Sequence, residues 1–447
     1  MAERLVVIGG DAAGMSAASQ ARRRRPDLDI VALEKGRFTS YSACGIPYLV
    51  GGEVGRAEDL VARTPEEFRS KQRIDVRIRH EAMAVDLDAR TIDVRDVEHE
   101  RSYSLGFDFV VFGTGAVPIR PDLPGIDAPW VRGVQTLEDA ASLLAEAERS
   151  RCRDVVVVGA GYIGLEMAEA FHRRGAQVAL VEGAPTVMGR TLDADMAVRI
   201  HGGLRDLGVD VRLGEQVERF EDGAVVTGSG RIPADLVVLG LGVAPASALA
   251  ADAGVELGPR RSVAVDRRQR TSVDGVWAAG DCASTWHRVS ERPVHIALGT
   301  VANKTGRVAG IDIGGGYATF PGVLGTAITK VCQTEVARTG LTEREAADAG
   351  FAVDVATIET TTTASYIPGT QRVHVKLVSE QGTGRVLGAQ IVGGTGSAKR
   401  IDTVAAALAG RLTVTDLVDL DLAYAPPFSS VWDPIQQAAR QIRTTPR

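Results

Sequence analysis

Cysteine is scarce and scattered in this chain. Its 447 residues hold four, Cys44, Cys152, Cys282 and Cys332, with no CxxC pair and no regular spacing. That excludes a disulfide-stapled secreted scaffold and fits a protein working in a reducing cytoplasm. Long apolar runs are missing as well. No stretch approaches the roughly 20 residues that a membrane-spanning helix needs. The first apolar run, residues 5–8, ends in glycines and Asp11 instead of a signal-peptide core. Positive charge is not in excess. The net charge of -6 argues against nucleic acid as a partner, and the run Arg22-Arg23-Arg24-Arg25 is the one strong local exception. Beyond residue 320 the only histidine is His374, so a histidine general base is not expected there, and no metal site is assigned.

Glycine, by contrast, is plentiful, with 50 residues that gather in loops. The run Arg4-Leu5-Val6-Val7-Ile8 leads into Gly9-Gly10-Asp11-Ala12-Ala13-Gly14, a small-residue helical stretch, and a second apolar run closed by Glu34. Strand, glycine turn, helix, strand and acid make a βαβ dinucleotide unit. The pattern recurs about 150 residues later. Residues 155–158 enter Gly159-Ala160-Gly161-Tyr162-Ile163-Gly164, and a further strand ends at Glu182. Two nucleotides on two separate domains are therefore expected.

The second turn is a complete GxGxxG, with Gly159 for the tight turn, Gly161 for approach to a pyrophosphate and Gly164 for helix packing. Glu182 stands where a carboxylate accepts hydrogen bonds from a ribose 2′-OH. Gly183, Ala184 and Pro185 follow with no cation for a 2′-phosphate, which favours NADH over NADPH. The first turn has Asp11 in place of its central glycine, but Gly9, Gly14 and Glu34 remain. Together with Thr114-Gly115 and Gly280-Asp281, both at ends of apolar strands, it reads as a flavin signature. Asp281 is a candidate for a ribityl or phosphate-bridging hydroxyl, and for a helix cap near Cys282.

Cys44 lies in Thr39-Ser40-Tyr41-Ser42-Ala43-Cys44-Gly45-Ile46-Pro47, more than a hundred residues from the next cysteine. A lone thiol beside a flavin loop points to a redox centre that takes its second sulfur from a substrate. The turn Gly45-Ile46-Pro47 reads as a helix entry, whose N-terminus lowers a thiol pKa. From about Pro321 the texture becomes alternating, with strands near 373–378 and 386–392 and two amphipathic helices, an α+β domain without a nucleotide signal. Tyr366 and Tyr424 sit in turn-like contexts where a phenol can project toward a site. The arginines 22–25 read either as a solvated helix end or as a hold for a phosphorylated substrate.

Taken together, these residues resemble the flavoprotein pyridine nucleotide-disulfide oxidoreductases. The similarity is greatest to the single-cysteine branch of coenzyme A disulfide reductases and NADH oxidases and peroxidases. It rests on residues 40–52, 159–166, 271–281 and 422–434 and covers nearly the whole chain. The resemblance implies two Rossmann-like domains and an α+β dimerisation domain: FAD on 1–115 and 245–320, NAD(P)H on 116–244, dimerisation on 321–447. It adds Lys35 beside Glu34 at the FAD site, Tyr162 as a gate over the nicotinamide site with Ile163 next to it, and Glu166 as the acid near the nicotinamide. It also implies Gln20, Arg23 and Ser40 as contacts of a coenzyme A moiety, which would itself be bound. Tyr366 and Tyr424 would reach the partner subunit's site in a homodimer.

Where the oxidases and peroxidases carry a histidine, the first turn has Ala12, and an asparagine often found before the cysteine is Ala43. Three readings stand open. The first is an FAD-dependent NAD(P)H reductase of coenzyme A disulfide or a related small disulfide or persulfide. The others are an NADH oxidase or peroxidase working through a Cys44 sulfenic acid, and a non-enzymatic redox sensor.

Overall fold

The computed structural model describes residues 2–149 and 152–442. Runs such as residues 155–158 of the strand Asp154–Val158 are apolar throughout because both faces of a parallel sheet are covered by helices. The first parallel sheet has the order Val276–Ala278, Phe109–Phe112, Arg4–Ile8, Asp29–Glu34 and Asp75–Ile78. It therefore joins the chain's beginning to a strand from its third quarter. The second runs Asp210–Leu213, Gln177–Glu182, Asp154–Val158, Leu236–Leu239 and Val131–Gly133, also parallel. Short antiparallel strands Ala116–Pro118 and Val243–Pro245 pair where the chain crosses between these bodies.

In both bodies the helix begins inside the glycine turn itself, as Ala12–Arg24 and Tyr162–Arg173. The third body is an antiparallel sheet in the order Ala327–Val331, Thr334–Gly340, Val386–Gly393, Arg372–Glu380 and Val353–Thr361. It carries four α-helices among the described residues, Glu343–Asp348, Ile401–Gly410, Val414–Asp419 and Pro434–Ala439, where the sequence pattern indicated two. Three of them span only six residues, too short for a 3.6-residue apolar stripe to be read.

The bodies share apolar cores. Val331, Val336 and Val392 of the antiparallel sheet pack in one cluster with Leu165 and Phe171 of the second βαβ helix. Ile46, Leu49 and Val50, just after Cys44, belong to the same cluster. The cysteine loop thus sits where all three bodies meet. No helix of the described residues is long and apolar enough to cross a membrane.

Candidate active site

The two glycine turns share one backbone plan. Gly9 and Gly159 both have positive φ, +109° and +100°, and a Cβ on either would strike the carbonyl of Gly113 or Gly240. Gly14 and Gly164 each press against the carbonyl of the turn's first glycine, closing helix onto strand. The acids match too. Glu34 accepts from Gly10 N at 2.8 Å and Gly36 N at 2.7 Å, and Glu182 from Ala160 N at 2.7 Å and Ala184 N at 2.8 Å. Each carboxylate is therefore aimed by backbone of its own turn, with its remaining lone pairs left for hydroxyl donors.

Both turns fit a dinucleotide. A Cβ on Gly161 would meet nothing within 4 Å, which leaves the room that backbone needs against a pyrophosphate. Neither helix receives a hydrogen bond from its N-cap side chain, which leaves N–H groups of the first turn for a phosphate. Asp281 follows the same logic. Its Oδ1 is buried without a hydrogen-bond partner, and burial raises the carboxyl to about 6. It does not cap the short turn Gly280–Cys282, so of the two roles read from sequence only the ligand-facing one has a free atom. Gly280 N is held by Thr305 Oγ1 at 3.0 Å, while Thr114 Oγ1 and Gly115 O bond Ala246 where the bodies cross.

Cys44 sits in a 3₁₀ turn, Ala43–Gly45, ahead of a single-turn helix, Ile46–Val50. The loop before it is docked on the first glycine turn. Thr39 Oγ1 and Ser40 N both donate to Gly10 O, and Tyr41 N donates to Asp11 Oδ1 at 3.2 Å. Ser40 adopts φ +50°, an unusual conformation for a non-glycine residue and one that concentrates at functional sites. Cys44 is exposed as a residue, but its thiol does not have the lowered pKa expected from a helix entry. Burial pushes it up, and the negative charges of Glu166, Asp281 and Asp11 add to that. A five-residue helix offers little dipole against three carboxylates.

Glu166 lies one helical turn past Tyr162, and its Oε1 accepts from Thr329 Oγ1 of the antiparallel sheet at 2.6 Å. Burial raises its carboxyl, partly offset by that bond. Tyr162 is half-buried and opens the same helix, with Ile163 beside it at the surface. Lys35 is exposed beyond Glu34.

The arginine run divides. Arg22 bonds the carbonyls of Pro26, Gln72 and Arg73, and Arg25 pairs with Glu3 and Asp27. Arg23 is exposed and donates to Gln20 Oε1 at 3.3 Å, so two of the three residues assigned to coenzyme A form one surface pair. Tyr366 and Tyr424 also come together. Their segments are joined by the bond from Ala364 N to Pro426 O. Desolvation, and then the nearby Tyr366 phenol, pushes the Tyr424 phenol up, and both residues are exposed, as are Phe428, Val431 and Trp432.

Residues that sequence reading missed surround this centre. Glu138 accepts from Arg37 N next to Glu34, and His295 Nε2 lies 2.7 Å from the Asp281 carbonyl oxygen. Both contacts join distant segments, and no local signal marks them. Lys330 and Tyr48 share a small cleft with Glu166 and Glu169 beside the cysteine loop. Among the described residues no cluster of His, Cys, Asp and Glu is placed to hold a metal.

Residues 3–306 match the family model of the pyridine nucleotide-disulphide oxidoreductases, and 326–434 match the dimerisation domain of that family. The chain belongs to this family. It is an oxidoreductase that pairs FAD with NAD(P)H. Over 443 residues it is 40% identical to the CoA-dependent NAD(P)H sulfur oxidoreductase of Pyrococcus abyssi, covering 98% of both chains. An NADH oxidase of Methanocaldococcus jannaschii is 34% identical over 98% of each. Among solved structures, the NAD-dependent persulfide reductase of A. fulgidus superposes with a TM-score of 0.94 at 37% identity, covering 98% of this chain and 82% of the other.

Proposed function

We propose that this chain is a flavin-dependent NAD(P)H reductase of coenzyme A disulfide or a related small disulfide or persulfide, with Cys44 as its single redox sulfur. The observation that carries this reading is the setting of Cys44: exposed, alone, and tied through residues 39–41 to the first glycine turn. Cys282 and Cys332 are buried and Cys152 is half-buried, all three on other segments, so the second sulfur comes from the substrate.

FAD, when bound, would supply the electron pair drawn from NAD(P)H that reduces sulfur. The chain's own groups do the rest. Gly9, Gly14, Glu34, Lys35, Thr114, Gly115, Gly280 and Asp281 hold the flavin nucleotide, within 1–115 and 245–320. Gly159, Gly161, Tyr162, Ile163, Gly164, Glu166 and Glu182 hold the pyridine nucleotide, within 116–244. The Cys44 thiolate attacks one sulfur of the incoming disulfide; the S–S bond breaks and one thiolate leaves with a proton. The remaining mixed disulfide takes up the electron pair and a proton, freeing the second thiol and restoring the Cys44 thiolate. Across the cycle, NAD(P)H, a proton and one disulfide become NAD(P)⁺ and two thiols.

Gln20, Arg23 and Ser40 line the approach for the coenzyme A moiety, where the Arg23 guanidinium suits a phosphate. In a homodimer built on residues 321–447, the Tyr366–Tyr424 pair serves the partner's site and stabilises the leaving thiolate. The likeness to a sulfur oxidoreductase and a persulfide reductase supports the reductase reading. Ala12 at the position of the oxidases' histidine removes the helper for peroxide chemistry.

The deciding experiment measures NADH oxidation by the purified protein with coenzyme A disulfide, a polysulfide, oxygen and peroxide in turn. Turnover with coenzyme A disulfide or polysulfide well above oxygen is the expected result. Faster turnover with oxygen alone would return the oxidase reading, and no turnover with any acceptor the sensor.

Nucleotide choice is a second test. Glu182→Gln keeps one backbone partner but removes the charge that repels a 2′-phosphate. The ratio of kcat/KM for NADH over NADPH is expected to fall by about tenfold, the worth of one charge-assisted hydrogen bond. Steady-state kinetics with both nucleotides checks it, and an unchanged ratio would remove Glu182 from ribose recognition.

A further inference from the structure

Asp11 occupies the position where a dinucleotide turn ordinarily has its central glycine, and its side chain does not cap the helix that follows it. It turns instead toward the cysteine loop. Its Oδ1 accepts from Tyr41 N at 3.2 Å, beside the bonds from Ser40 N, at 3.0 Å, and Thr39 Oγ1 to the neighbouring Gly10 carbonyl. Three consecutive residues, 39–41, are thus fastened to this turn just ahead of Cys44. We propose that Asp11 is a positioning residue for Cys44: its carboxyl group docks the cysteine loop on the first glycine turn, and its charge adds to those that oppose the Cys44 thiolate.

The groups facing Asp11 come from every side of the centre. They are Glu34 at the end of its strand, Asp281 in the turn Gly280–Cys282, and Tyr41 and Cys44 in the loop. All are acidic when they ionise, so each charge opposes the others. Burial, followed by Glu34 and Asp281 against the opposing Tyr41 and Ala12 N–H groups, raises the Asp11 carboxyl to about 6. Around neutral pH the carboxyl is mostly ionised and works against thiolate formation. A protonated Asp11 relieves that repulsion without undoing the docking, because its carbonyl oxygen still accepts from Tyr41 N. The complete GxGxxG of the second body has glycine at this position and no cysteine loop to dock.

The proposal rests on Cys44 as the reacting sulfur, and its test reads the thiol directly. Wild type, Asp11→Asn and Asp11→Ala holoenzymes are alkylated with iodoacetamide between about pH 6 and 10, and the Cys44 peptide is quantified by mass spectrometry. Asparagine keeps an acceptor for Tyr41 N but carries no charge. It is expected to move the alkylation midpoint down by roughly half to one pH unit at an unchanged plateau. Alanine also frees the loop. Its plateau is expected to change, and kcat for disulfide reduction to fall by about tenfold relative to asparagine, which rescues it. Profiles of both variants that overlay wild type would overturn the proposal. A shifted midpoint in asparagine together with no disulfide turnover by wild type supports this role for Asp11 while removing the proposed function. Should the alanine variant not fold, the asparagine midpoint alone decides.

Discussion

Cys44→Ser is expected to lose disulfide-dependent NADH oxidation by roughly a thousandfold or more while retaining its flavin. A serine hydroxyl cannot form the mixed disulfide, and the other cysteines are held elsewhere: Cys282 is buried with its thiol on the Phe112 carbonyl, Cys332 is buried in a hairpin turn against Glu169, and Cys152 is half-buried with its thiol toward the Asp154 carbonyl. Flavin retention is expected because the loop's docking bonds come from Thr39, Ser40 and Tyr41, none of which changes. The measurement is NADH oxidation with coenzyme A disulfide, alongside the visible absorbance of the bound flavin. Equal turnover in wild type and variant would remove the single-sulfur mechanism. A pH dependence follows from the same centre. Because burial and the charges of Glu166, Asp281 and Asp11 raise the thiol, the thiolate fraction keeps climbing above neutrality. The rate of attack on disulfide therefore rises from about pH 7 to 9, where a thiol activated by a helix dipole would already have levelled off.

The two glycine turns were legible in the sequence because each is built from residues contiguous in the chain. Gly9 and Gly159 need positive φ, Gly14 and Gly164 need closeness to backbone, and the acid ends the very next strand. Local chemistry leaves a local trace. The electrostatics of Cys44 left none, since the residues that raise its thiol come from three separate segments of the chain. Glu166 is similar: its hydroxyl partner Thr329 lies 163 residues away. Asp11 was visible only as the wrong residue in a glycine turn, and its reason appears once the loop at Tyr41 is folded over it. Alternation misleads in the strand Arg372–Glu380. Lys376 reads as outward and polar beside Val375 and Leu377, yet all three are buried.

The cover on Lys376 is the segment around Asp193 and Asp195 from the second βαβ body. The ammonium lies 3.2 Å from Asp193, 2.9 Å from Asp195 and 2.8 Å from Glu343, with its side chain only 4% exposed. Gln390 Nε2 and Glu343 N also bond Asp193, so a single cation clamps the second βαβ body to the antiparallel sheet. Lys376→Met leaves Asp193, 12% exposed, without its counter-charge, while Asp195 and Glu343, at 45% and 48%, recover solvent. Breaking one side of a buried pair costs about 3–5 kcal/mol; with two partners screened by water the expected loss here is about 2–4 kcal/mol. Asp195→Asn, on the exposed partner, should cost at most about 1 kcal/mol. Denaturant unfolding, followed by flavin release and by proteolysis between the bodies, compares the two variants, and equal losses would reject the clamp. The pH course is a sharper test. Burial pushes Asp193 up, but the Glu343 N–H, Gln390 and Lys376 outweigh it and hold the carboxyl below its ordinary value. Its share of stability is present above the unfolded carboxylate pKa and is lost as pH falls through the lower folded value. Lys376 is held above its ordinary value by Glu343, Asp195 and Asp193 against burial, so its share is present below the unfolded ammonium pKa and lost as pH rises through the folded one. The gap between wild type and Lys376→Met should therefore stay level from about pH 5 to 10 and close on either side.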